Sequence, residues 1–241
     1  MGRRCGASLG DVEEIIVLSG PAAGAVVGGF LQGFRADLRV TVVSTVRALE
    51  AQAGRFGPSV RLLAFTTGVI VPPHVIEALG GPAYNIHPGP PTHPGSFPDV
   101  HALLAGDALF GATLHVMHAR VDAGPIVDVA MFDVPPGAER PWLASRAMQA
   151  AADLMLGWGA RLAGAADPLP VRTDLAWASR KWRQADLTAL TRIDAAMPVD
   201  EVERRARAVL GGTLGTLVLD WNGRRFRLEP DGPDPDLHPF S

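Results

Sequence analysis

The sequence predicts an α/β layer fold on a mainly parallel sheet, and three observations carry that expectation. Short β-branched apolar runs end in glycine or proline turns, as buried strands do. Helical stretches of small and apolar residues alternate with those runs, the pattern of strand–helix–strand units. A long, sparsely charged stretch follows, as expected of a helix covered on most sides.

Taken in order, residues 15–19 read as a strand closed by Gly20-Pro21, and 22–34 as a helix packed on the sheet. A second strand is expected at 38–43 and a helix at 45–53. A third strand at 62–65 precedes a short helix at 72–79, with proline early and Gly80-Gly81 as its stop. The fourth strand, 83–86, ends abruptly at Pro88-Gly89-Pro90-Pro91. Ser96, with Pro98 and Asp99 after it, reads as a helix start running to Leu104 and stopped by Gly106. Strands at 112–117 and 127–134 and the long helix at 142–163 complete this part.

Pro168 and Pro170 mark a linker, which sets the expected boundaries: 1–168 as the main domain, 169–230 as an extension and 231–241 as an acidic, proline-rich tail. Residues 172–227 carry eleven basic and seven acidic side chains. Within them 199–210 is an amphipathic helix closed by Gly211-Gly212. The stretches 213–219 and 224–228 flank Asn222-Gly223, a strong hairpin signal. The extension is therefore a helix plus a β-hairpin.

The chain has 241 residues, 47% apolar and 20% charged, an ordinary globular balance. A net charge of −3 gives no overall basic field for nucleic acid or membrane surfaces. Cys5 is the single cysteine, so disulfide frameworks and cysteine metal sites are excluded and a reducing compartment fits. Asp11, Glu13 and Glu14 interrupt the first apolar stretch, unlike a signal peptide, and 20–31 is too short and glycine-rich to span a bilayer. The expectation is a cytoplasmic protein.

Chemistry concentrates at three residues. Asn85 and His87 stand two apart at the end of a strand, so their side chains share a face, and Ile86 between them points into the core. Asp122 lies in the loop Val121-Asp122-Ala123-Gly124-Pro125 after a later strand. In parallel α/β sheets ligands bind beyond the carboxyl ends of strands, where the pair lies. If the two strands are neighbours, an amide, an imidazole and a carboxylate converge, a set suited to acyl transfer to an amine. The amide can donate to a developing oxyanion and the imidazole can move a proton; the carboxylate can orient the imidazole or relay protons through water. The same residues also admit a plain structural account, with Asn85 and Asp122 capping turns and His87 a satisfied buried histidine.

The stretch from Tyr84 to Pro91, the helix near 101–105, and Gly111 to Val116 leading into 121–127 resemble the folate-dependent formyltransferases. That family includes glycinamide ribonucleotide, methionyl-tRNA and amino-sugar formyltransferases and the related formyltetrahydrofolate hydrolases. Its hallmark is Asn-x-His on a strand and an aspartate some thirty-five residues later, here Asn85, His87 and Asp122. The resemblance implies a Rossmann-like sheet and an enzyme of one-carbon metabolism that takes its formyl group from 10-formyltetrahydrofolate. It assigns proton transfer to His87, the oxyanion contact to Asn85, the tuning of His87 to Asp122, and a supporting place near the aspartate to His115. It implies pterin binding through backbone groups of Val69, Ile70 and Val71 and of His118, Ala119, Arg120 and Val121. The segment 177–187 is similar to the tail that lies beside the acceptor in sugar-type members.

Two departures stand out. The family's usual Ser-Leu-Leu-Pro after the histidine is replaced by Pro88-Gly89-Pro90-Pro91-Thr92-His93-Pro94-Gly95, and the strands at 38–43 and 62–65 lie too close for the intervening unit the family places there. The amino-terminal half is accordingly expected to be trimmed by one βα unit. The turn Gly20-Pro21-Ala22-Ala23-Gly24 resembles a phosphate-binding loop only loosely, and packing is its better reading. His115 and His118, three apart, fall on opposite faces, and no metal is expected.

The expected partner is therefore a small-molecule amine, with a nucleotide-linked amino sugar suited to the arginines of the extension. No nucleic acid or membrane partner is expected, a tRNA acceptor calling for a larger basic carboxyl-terminal domain. Monomer and homodimer are equally compatible. Two rivals are a formyltetrahydrofolate hydrolase, against which counts the lack of an amino-terminal regulatory module, and a non-catalytic folate- or nucleotide-binding module.

Overall fold

A computed structural model describes residues 10–210 and 217–228. Cys5, Gly211-Gly212, the start of the expected 213–219 strand and the 231–241 tail lie outside the described residues. The main sheet has six strands: β1 (Glu14–Leu18), β2 (Arg39–Val43), β3 (Val60–Phe65), β4 (Ala83–His87), β5 (Leu109–Val116) and β6 (Ile126–Asp133). Their spatial order is β2-β1-β3-β4-β5-β6. Pairing is parallel from β2 through β4, while β5 runs antiparallel to both of its neighbours. The sheet is thus mainly parallel with one strand reversed.

Helices α1 (Pro21–Phe34), α2 (Val46–Glu50), α3 (Pro73–Ala78), α4 (Pro98–Ala105) and α5 (Arg140–Ala163) flank it. Between β2 and β3 the chain fits α2 and one 3₁₀ turn, Ala53–Arg55, and no further strand. On one face, Ile15, Val17, Leu63, Tyr84, Ile86, Ala112 and Leu114 pack with Val27 and Leu31 of α1 and Leu154 of α5. On the other, Ile16, Leu18, Leu62 and Ala64 pack with Leu49 of α2 and Val75 of α3. A Cβ at Gly24 would stand 2.4 Å from the Val42 side chain, so this glycine lets α1 settle on β2. The Gly20–Gly24 turn is a packing device.

Arg61, 1% exposed, reaches across from β3 to the carbonyl end of α5. Its guanidinium donates to the carbonyls of Arg161, Leu162, Ala165 and Asp167 and lies over the Tyr84 ring. A cation there satisfies carbonyls that have no partner within the helix and complements the helix dipole.

Helix α4 begins at Pro98, with Phe97 as its cap in the left-handed region, and not at Ser96. Ser96 is engaged elsewhere: its N–H donates to the Trp182 carbonyl, and Gly95 bridges the same residue. A tertiary contact thereby overrides the local start signal. Beyond α5 come α6 (Gln184–Leu190), β7 (Arg192–Ile193), α7 (Val199–Val209), β8 (Leu217–Trp221) and β9 (Arg224–Leu228), with β7-β8-β9 forming a second sheet. Asn222 and Gly223 have φ of 48° and 72°, the backbone the hairpin signal predicts. Val100 of α4 joins Leu187, Ile193, Ala208, Val209 and Leu217 in the apolar core of this extension. Among the described residues no helix is long and apolar enough to cross a membrane.

Candidate active site

Because β4 and β5 are neighbours, Asn85 lies opposite His115, and His87 opposite Thr113. Ile86 points into the core and is fully buried, which turns Asn85 and His87 to the opposite face. The reversal of β5 changes how the carboxylate arrives. This strand ends beside Ala83, at the start of β4, and the following loop folds back across the sheet face. Asp122 therefore covers the β4–β5 face instead of standing beyond the carboxyl ends of the strands, the position a purely parallel sheet would give.

The three residues converge. His87 Nδ1 lies 3.6 Å from Asp122 Oδ2, and His115 Nε2 lies 3.4 Å from Asp122 Oδ1. Asn85 Nδ2 is 3.1 Å from His115 Nε2. The other nitrogen of His115 donates to the Val116 carbonyl at 2.9 Å, so its Nε2 is free to accept from the Asn85 amide. His87 Nε2 donates to the His93 carbonyl at 3.1 Å, which leaves Nδ1, facing Asp122, as the basic atom of the neutral ring. Asp122 accepts the Gly95 N–H at 2.8 Å. Neither Asn85 nor Asp122 serves its own turn, as the plain structural account would require.

Burial sets the electrostatics. His87 is 6% and Asp122 4% exposed. Desolvation pushes the His87 pKa below its ordinary value, against the opposing pull of Asp122 and the His93 carbonyl. Desolvation raises that of Asp122. The close approach of the His115 ring, the charge of His87 and the Gly95 N–H outweigh it, holding the carboxyl down at about 2. The cluster thus pairs a neutral imidazole with a fixed carboxylate, and a proton arriving at Nδ1 is stabilised at once.

Backbone geometry holds Asp122 in place. Its φ is 42°, in the left-handed region, and a Cβ on Gly124 would stand 1.9 Å from the Val116 carbonyl oxygen. Gly95 has φ of 102° with the Trp182 backbone against its α-carbon, so the N–H that Asp122 accepts depends on a glycine there.

The expected pterin loops flank one apolar cluster. Val71 is buried and Val69 half-buried in it, and Met117, just before His118, packs on it too. Ile70 is exposed, as are His118, Ala119, Arg120 and Val121.

Two residues outside the motif complete the site. Trp177 sets its ring edge-on to His115, at 5.0 Å between centroids, and to His87, at 6.0 Å. Its indole N–H donates to the Gly124 carbonyl at 2.8 Å. His93, 6% exposed, engages Asp107 through Nε2 at 3.2 Å and Thr92 through Nδ1 at 3.0 Å, fixing the carbonyl that His87 uses. A groove of about 490 Å³ opens on Asp122, with Arg120, Arg172, Trp177 and Lys181 in its wall. The Lys181 ammonium donates to the Val121 carbonyl.

Residues 43–156, which carry Asn85, His87 and Asp122, match the family model described as Formyl transferase. Over that segment the chain resembles the formyl transferase family. It is 31% identical over 173 residues to the methionyl-tRNA formyltransferase of Chloroflexus aurantiacus, covering 70% of this chain and 51% of the relative. The chain spans about half the length of the curated relatives it matches. Among solved structures it resembles a 4-N formyltransferase from Francisella tularensis, with a TM-score of 0.69 at 14% identity over 91% of this chain and 98% of the other. It also resembles an N-formyltransferase from Helicobacter canadensis solved with folinic acid and dTDP-3-aminofucose (TM-score 0.63, 14% identity, 88% of this chain and 85% of that one). At these identities the structural likeness speaks to the fold alone, and the formyl transferase fold agrees with the six-stranded sheet described above.

Proposed function

We propose that this protein transfers a formyl group from 10-formyltetrahydrofolate to the amine of a small-molecule acceptor. The observation that carries the reading is the convergence of Asn85, His87 and Asp122, with the His115 ring beside both the amide and the carboxylate. One Asn85 N–H engages His115, and the other is left for the oxyanion that forms when an amine adds to the formyl carbon. A donor so placed contributes roughly 3–4 kcal/mol to the barrier. His87 Nδ1 takes the proton released by the attacking nitrogen, Asp122 stabilises the imidazolium, and the proton passes to N10 of the folate as the C–N10 bond breaks. The loops 69–71 and 118–121 hold the pterin by backbone groups.

The finer reading is that the acceptor is a nucleotide-linked amino sugar. It is supported by the groove at Asp122, whose Arg120 and Lys181 suit phosphate oxygens. The Helicobacter neighbour, which holds a dTDP-linked amino sugar, supports it as well. In this reading the extension, 169–230, is the acceptor side of the enzyme, and the protein works in the cytoplasm.

The test is tetrahydrofolate release from 10-formyltetrahydrofolate, followed spectrophotometrically with amino sugar nucleotides, simple amines and methionyl-tRNA. Release that needs an amine and falls about 10²–10⁴-fold in His87→Ala and Asp122→Ala supports transfer. Release in wild-type protein without any amine makes it a hydrolase, and no binding of the donor refutes the reading.

A further inference from the structure

Trp177 lies outside the family motif, yet its ring meets two members of the catalytic cluster, His87 and His115. Its place is fixed at three points. The indole N–H donates to the Gly124 carbonyl, the N–H of Ala178 donates to the Pro91 carbonyl at 2.9 Å, and Trp182 N–H reaches the Pro94 carbonyl at 3.1 Å. The segment 177–182 is thereby strapped to the loop after β4 and to the loop that carries Asp122. The ring edge stands over both His87 and His115, at interplanar angles of 68° and 85°. It stands on the side where the acceptor groove opens, since Trp177 also lines that groove. The remaining groups around His87 are Asp122, His115 and His93, themselves buried.

A formyl group on N10 has two competing nucleophiles. If an amine adds to the formyl carbon, a C–N bond forms, the C–N10 bond breaks and N10 takes the proton. If water adds, a C–O bond forms, the same C–N10 bond breaks, N10 is protonated and formate is lost. Both routes use the same base, and water is present at far higher concentration than any amine. The outcome is therefore decided by which nucleophile can reach the imidazole. A half-buried indole pinned by its own N–H admits an acceptor along the groove while keeping the imidazole pair dry.

We propose that Trp177 is the specificity-determining residue of this site: its indole bars water from the His87–His115 pair, so that the formyl group passes to an amine and not to water. The inference rests on the formyl-transfer reading and adds the residue that separates transferase from hydrolase.

The experiment compares wild type, Trp177→Ala and Trp177→Phe with 10-formyltetrahydrofolate and no acceptor, measuring tetrahydrofolate and formate together. Removing the ring admits water beside a positioned base, so Trp177→Ala is expected to release both products in equal amounts, about tenfold faster than wild type. Trp177→Phe keeps a ring but loses the N–H that pins it to the Gly124 carbonyl, and is expected to fall between wild type and Trp177→Ala. A ring that served only stability would lower activity on removal and could not raise hydrolysis. A second readout needs no folate: the NMR titration of the His87 ring, expected to move up towards the ordinary histidine value in Trp177→Ala as the imidazole is hydrated. If Trp177→Ala fails to fold, Trp177→Leu takes its place in both readouts. Donor binding with hydrolysis no faster than wild type and an unmoved His87 titration overturns this inference alone. Wild-type protein that does not bind the donor brings down the formyl-transfer reading as well.

Discussion

Acid should destabilise this protein in part through His101, a histidine outside the catalytic cluster. His101 of α4 is 3% exposed, its ring is stacked on Trp182 at 3.6 Å and 9°, and its Nε2 has no hydrogen-bond partner. Arg180 covers the other face of the same indole. Burial pushes the His101 pKa down to about 4; the charges of His93 and Arg180 push the same way, and Asp186 opposes them. Because the folded value lies below the ordinary one, the folded state binds fewer protons between them. Stability is therefore complete above pH 6.5 and is lost as the pH falls towards 4. A shift of that size corresponds to ~3 kcal/mol. The assay is urea unfolding of wild type and His101→Phe at pH 7.5, 6, 5 and 4, followed by circular dichroism and tryptophan fluorescence. Phenylalanine keeps the stack and does not titrate, and any misfit of the larger ring is constant with pH. The stability difference between the two should change by ~3 kcal/mol in favour of the variant across that range. Parallel curves would refute the reasoning, because His87 and His93 titrate in both proteins.

Two further substitutions test other parts of the argument. Arg61→Met removes the donor that reaches the carbonyls of Arg161, Leu162, Ala165 and Asp167 at and just beyond the end of α5, and should cost about 3 kcal/mol in urea unfolding at pH 7; a loss below about 1 kcal/mol would mean that other groups or solvent satisfy them. Gly124→Ala drives a methyl into the Val116 carbonyl, so the loop must move. A stability loss of about 2 kcal/mol should accompany a collapse of tetrahydrofolate release, and retained activity would show that Asp122 tolerates a displaced loop.

Much of this arrangement was legible in the residues. Runs such as Ile15-Ile16-Val17-Leu18 and Leu62-Leu63-Ala64-Phe65 mark strands because short, uniformly apolar, β-branched or aliphatic runs closed by turn residues suit strands buried on both faces. Asn85, His87 and Asp122 were legible as a motif, and their meeting is now a matter of distances. The direction of β5 was not legible, since an apolar run reads the same either way along a sheet. Ser96 signalled a helix start correctly by composition, but the Trp182 backbone claimed it first. Helix α6 has seven residues and β7 two, too short for either to show a period. His93 hid within a proline-rich run because its partner, Asp107, is fourteen positions away. Trp177 was visible only as part of a tail segment, and its contacts with His87 and His115 depend on how that tail crosses the sheet.

Helix α4 has a consequence for how such proteins can be recombined. One side of it, with Ala102, packs on Phe110, Leu143 and Ala147 of the main sheet layer, and the other, with Val100, closes the core of the extension. The seam between the two parts therefore does not run through the linker at Pro168–Pro170, where a cut looks natural. A chimera that grafts a foreign extension after residue 168 would set new side chains against an old helix face. The exchangeable module is the extension together with the Val100 side of α4, and grafts should be matched there first.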